Sequence, residues 1–130
     1  MRAFLFLNLE VTDHLERYLQ PEMQLVKSAF PDVALLDLDA GSDALLLHYA
    51  KRMLHEADQS IICIKANENA ALQTIMAILE DIPQVKGQLL FLLIGENQRF
   101  QRILAARSQL NFKQVNSDAA LLEVLSAFYT

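Results

Sequence analysis

Five times along this chain an apolar run of strand length gives way to a longer segment of helical period, and that alternation constrains the fold more than any other feature. The runs are residues 2 to 9 (RAFLFLNL), 33 to 39 (VALLDLD), 60 to 66 (SIICIKA), 88 to 95 (QLLFLLIG) and 112 to 116 (FKQVN), and a helical pattern follows each. Helix starts carry capping chemistry: Asp13 with Glu16 three residues on, Asp43 before ALLLHYAKRML, and Ser117 or Asp118 before AALLEVLSAF. Pro31 and Pro83 mark the ends of helices. Pro21 interrupts the stripe Leu15, Leu19, Met23, Val26, Phe30, so a kinked helix or two short helices are expected there.

The strands also suggest their own order. Strands covered on both faces are continuously apolar, whereas edge strands tolerate polar groups. The first, third and fourth runs are the apolar ones. The second carries Asp37 and Asp39, and the fifth carries Lys113, Gln114 and Asn116, which places both at the edges. The expected architecture is therefore α/β, a three-layer, doubly wound, five-stranded parallel sheet in the flavodoxin-like order 2-1-3-4-5. The order 3-2-1-4-5 would leave SIICI at an edge.

A chain of 130 residues is read as one domain, 1–130, large enough to bury a core without covalent staples. The lone cysteine, Cys63, excludes an intrachain disulfide and lies inside IICI, where packing is its expected role. A formal charge of -5 offers no global attraction for nucleic acid or anionic lipid. No apolar stretch reaches membrane-spanning length and the first residues lack a signal-peptide cleavage pattern, so a cytoplasmic location is expected. Glycine-rich phosphate loops are absent, since the chain has only Gly41, Gly87 and Gly95, and no cofactor is expected. Asp37 and Asp39 share one face of a strand, but no third ligand is specified and no metal site is assigned.

In an open parallel sheet, ligands bind beyond the carboxyl ends of the strands at the point where connections switch sides, here between the first and third strands. That argument gathers Asn8 and Glu10, then Lys65, Asn67, Glu68 and Asn69, with Gly95, Glu96, Asn97 and Arg99 beside them, as a candidate crevice for a small-molecule ligand. The competing reading is that Asn67 or Asn69 caps the third helix and Asn97 the fourth.

The second helix presents an apolar arc of about 200°, wider than the stripe of somewhat above 100° that one-sided burial needs. In the third helix, Leu72, Ile75, Met76 and Leu79 are expected inward, with Ala71 and Ile78 outward. Leu45, Leu47, Tyr49 and Ile78 are therefore candidates for a partner surface, and a homo-oligomer or a protein partner is expected.

At residues 33 to 64, VALLDLDAGSDALLLHYAKRMLHEADQSIICI, a strand ending in acids leads through a small-residue loop into a helix and then an apolar strand. This segment resembles the Toll/interleukin-receptor domain and the related nucleoside 2-deoxyribosyltransferases. The resemblance implies one of two roles. One is protein association, and this is the expected function. The other is cleavage or transfer at the N-glycosidic bond of NAD or a nucleoside by a glutamate after the third strand, a position held here by Glu68.

Overall fold

The structure, a computed structural model, describes residues 1–10, 21–39, 43–107 and 110–129. Five strands, β1 (Arg2–Asn8), β2 (Ala34–Asp39), β3 (Gln59–Ala66), β4 (Gln88–Gly95) and β5 (Asn111–Val115), form one sheet in the order β2-β1-β3-β4-β5. Every pairing is parallel. The helices are α1 (Pro21–Ala29), α2 (Ala44–Glu56), α3 (Gln73–Leu79), α4 (Gln98–Ala105) and α5 (Asp118–Tyr129), with a short 3₁₀ turn at Ile82–Gln84. This is the expected flavodoxin-like arrangement. β2, with Asp37 and Asp39, and β5, with Lys113 and Gln114, lie at the edges, and IICI lies between β1 and β4.

Alternation along the strands builds two cores. In β1, Phe4 and Phe6 point to one face and Leu5 and Leu7 to the other, all four fully buried. The Phe4 side joins Ile61, Cys63 and Leu92 to Val26 of α1 and Leu121 and Leu125 of α5. The Leu5 side joins Ile62, Ile64 and Phe91 to Leu54 of α2, Ile75 and Ile78 of α3, and Phe100 of α4. Right-handed crossovers from this strand order require that division of helices. At the foot of the sheet α5 is pinned to β1: the Tyr129 hydroxyl donates to the Ala3 carbonyl, and Arg2 Nη1 donates to the Tyr129 carbonyl at 2.6 Å.

Local chemistry fixes the helix ends. Asp43 accepts the Leu46 N–H at 2.9 Å as the N-cap of α2, and Ser117 Oγ accepts the Ala120 N–H at 3.1 Å at the start of α5. Pro21 occupies the first position of α1, where its missing N–H costs nothing. The expected cap of Asp13 with Glu16, the residues Leu15 and Leu19, and Gly41 lie outside the described residues. Among the described residues, no helix is long and apolar enough to cross a membrane.

Two expectations are corrected. The cap of α3 is Leu72, which offers no side-chain bond, so neither Asn67 nor Asn69 caps that helix. Ile78 is 0% exposed rather than outward. The inward stripe of α3 is Ile75, Ile78 and Leu79, with Thr74 buried at one flank and Met76 half-buried at the other, so the apolar face is turned from the one centred on Leu72, Ile75 and Met76.

Candidate functional site

At the carboxyl ends of the strands, Asn8 stands opposite Lys65, and Ala66 opposite Gly95. The sheet thus brings together the residues that the strand-order argument selected. Several of them are bonded to one another. Leu9 N donates to the Lys65 carbonyl at 2.9 Å, which carries the β1–β3 pairing one step further, and Asn8 Oδ1 accepts the Glu10 N–H at 3.1 Å. Asn67 Oδ1 accepts the Asn69 N–H at 3.0 Å, forming a turn closed on itself.

Asn97 joins two corners. Only 1% exposed, it caps α4 by accepting the Phe100 N–H at 2.9 Å, and its Nδ2 donates to the Asn67 carbonyl at 2.8 Å. Glu68 reaches the same helix, where its Oε2 accepts the Gln98 N–H at 3.1 Å, a favourable place for a carboxylate at the positive end of a helix. Gly95 ends β4 at a φ of 93°, and a Cβ there would lie 2.5 Å from the Ala66 carbonyl oxygen. Its own carbonyl accepts from Gln114 Nε2 at 2.8 Å. Glu96 and Arg99 are exposed; Arg99 borders an open hollow of about 420 Å³ between α3 and α4, apart from the rest.

Lys65 behaves differently. Its side chain leaves β3 on the face of Ile61 and Cys63, where α1 and α5 lie, and there its Nζ sits 2.9 Å from Oε1 of Glu22. Glu22, in the first turn of α1, is 6% exposed, and its second carboxylate oxygen, Oε2, is buried with no hydrogen-bond partner. Among the described residues only Ser60 Oγ shares that condition, and an anionic oxygen is the costlier of the two to leave unmet. Glu22 and Lys65 border a cavity of about 150 Å³. Its apolar wall is Ile94, Val115 and Leu121, and its far side is the corner Asn116, Ser117 and Asp118 where α5 begins.

Sequence reasoning selected Lys65 and missed Glu22. A signal existed: Lys65 follows Ile61 and Cys63 at strand spacing, so it must point toward α1 and α5, whose first-turn acids are Glu22 and Asp118.

The field of this pair reaches Cys63. Burial pushes its thiol far above the ordinary range, the negative charge of Glu22 adds to the rise, and Lys65 opposes it. A fully buried, neutral thiol is no nucleophile.

Other polar pairs among the described residues lie on or beside the helices. Arg52 bonds Glu56 one turn along α2, and His55 lies 2.5 Å from Asp81. Among the described residues no cluster of three His, Cys, Asp or Glu side chains could hold a metal ion. On the outer side of α2, Leu45 is 60% and Tyr49 51% exposed, one turn apart. Leu47 packs partly against the core and Ile78 is buried, so the proposed partner surface contracts to Leu45 and Tyr49. In comparisons with known proteins, no family model matches the chain and no curated protein matches it.

Proposed function

We propose that this chain is a small-ligand-binding α/β domain whose site is the cavity over the carboxyl ends of β3, β4 and β5, with Glu22 and Lys65 as its recognition groups. The observation that carries this reading is the unpartnered Oε2 of Glu22. Leaving a buried acceptor unmet costs about 1–3 kcal/mol, and more for a charged group. Lys65 satisfies the other oxygen only. Keeping a buried carboxylate at that cost beside a cavity favours a recognition role for the pair over a packing one.

The reading assigns no catalytic step. Glu68, the glutamate that the resemblance would make catalytic, holds the first N–H of α4, and Cys63 is neutral and enclosed. The cavity is also below the roughly 300 Å³ at which pockets for drug-sized molecules begin, which disfavours NAD or a nucleotide in it.

The test is a thermal-shift screen of small polar metabolites against the full chain and its Glu22→Gln variant. Stabilisation of the parent by at least one class, lost in the variant, supports the reading. A screen flat at millimolar concentrations counts against it.

A second reading, self-association, is favoured by the exposed Leu45 and Tyr49 pair. A homodimer built on it would show a mass by light scattering that falls to the monomer value in a Leu45→Ser, Tyr49→Ser double variant. A monomeric mass in the parent at high concentration removes it.

A further inference from the structure

Resting on the self-association reading, we infer that the partner is a second copy of this chain, docked so that Leu45 and Tyr49 of each copy enter the hollow between α3 and α4 of the other. The apolar pair and the hollow lie on one helical layer, with matching rise and opposite charges at their ends.

The placement follows from the sheet. α2, α3 and α4 all pack on the Leu5 side. With the strands in the order β2-β1-β3-β4-β5, α2 crosses β1 on its way to β3, α3 connects β3 to β4, and α4 connects β4 to β5, so the layer reads α2, α3, α4. Each helix leads from the carboxyl end of one strand to the start of the next, so all three run the same way. On the outer side of α2, Leu45 is 60% and Tyr49 51% exposed, and Arg52 is exposed one turn further on. Between α3 and α4 the layer opens into the hollow of about 420 Å³. Leu72, Met76 and Ala77 form its apolar wall. Glu80, at the end of α3, and Arg99, in the first turn of α4, stand at its opposite ends.

A two-fold axis running along the helices, between two such layers, sets α2 of each copy over the α3–α4 hollow of the other and makes every contact twice. The register agrees. Leu45 to Arg52 is a rise of about 10.5 Å, and so is Gln73 to Glu80. Placing Arg52 against Glu80 therefore brings Leu45 level with Leu72 and Gln73, and Tyr49 level with Met76 and Ala77. Asp43, exposed at the start of α2, moves toward Arg99. A cation meets an anion at each end, with apolar contact between them. Arg52 gives up its exposed bond to Glu56, a small loss because such pairs one turn apart are weak. Two α2 helices paired with each other would instead set Leu45 and Tyr49 against their own copies and leave both hollows unfilled.

The experiment uses the full chain and sedimentation velocity over an about hundredfold range of concentration. The parent is expected to shift from monomer to dimer across it. Arg52→Glu and Glu80→Arg, both at exposed positions, are each expected to weaken dimerisation at least about tenfold by setting like charges together. An equimolar mixture of the two variants restores an opposite pair at both contacts. It is expected to dimerise within about threefold of the parent, a gain that a folding defect in either variant cannot produce. Ala77→Gln, which fills the hollow, is expected to weaken the dimer as well. A dimer that is lost in the Leu45→Ser, Tyr49→Ser double variant yet indifferent to Glu80→Arg and Ala77→Gln overturns the inference, although the self-association reading then stands. So does a mixture that stays monomeric while the parent dimerises. A parent that is monomeric throughout overturns both.

Discussion

Replacing Asn97 by alanine is expected to open the seam between the β3–α3 corner and the start of α4. Two bonds are lost from a fully buried side chain: the cap to the Phe100 N–H and the donation to the Asn67 carbonyl. An N-cap truncation costs about 1 kcal/mol. Losing the second bond adds about 1 kcal/mol rather than the full penalty of an orphaned acceptor, because the Asn67 carbonyl still accepts the Ala70 N–H at 3.2 Å. The two losses together come to about 2 kcal/mol. Urea denaturation followed by far-UV dichroism measures it, with an unchanged m-value showing that the denatured state is unaltered. Asn97→Ser restores a capping oxygen without the amide donor, so it should recover about half of the loss. A cost below about 0.5 kcal/mol for the alanine variant, typical of an ordinary surface site, would refute the claim that this residue holds the two corners together.

Gly95→Ala should be more costly than a typical substitution, because a positive φ and a backbone oxygen 2.5 Å from the new Cβ act together. A melting temperature within 2 °C of the parent's would show that the end of β4 does not need that conformation. Cys63 sets a pH dependence: its native thiol is held neutral by burial and by Glu22, while the unfolded chain ionises near pH ~8.5. Above that pH the native state binds the extra proton, so stability is flat below pH ~8.5 and falls by about 1.4 kcal/mol per pH unit beyond it. Urea midpoints between pH 7.5 and 9.5 should show that slope in the parent and lose it in Cys63→Ala; equal slopes would contradict the assignment.

The layers and strand order were legible because they follow from composition at particular positions. Asp37 and Asp39 cannot sit comfortably in the middle of a two-faced sheet, nor can Lys113 and Gln114, while IICI cannot lie at an edge. Each strand begins and ends within one residue of its expected limits. The phase of α3 was not legible. A helix that starts without a side-chain cap gives no local mark for its first residue, and the choice between Met76 and Ile78 as the buried side chain rests on what the sheet offers beneath them. The rim residues were found, but not their use. Glu68 meets a helix start thirty positions away, and Asn97 meets the Asn67 carbonyl across the same gap, pairings that become visible only once β3 and β4 are adjacent. Glu22 escaped for a related reason: as an acid in a first turn it needed no further explanation until Lys65 was seen to point at it.

The most direct measurement is a crystal structure of the protein at high resolution, read at the Glu22–Lys65 pair and the cavity beside it. The account expects an open cavity bordered by Glu22 and Lys65, with no protein group bonded to Oε2. A side chain or backbone group of the protein itself bonded to Oε2, with the cavity closed over it, would contradict the account.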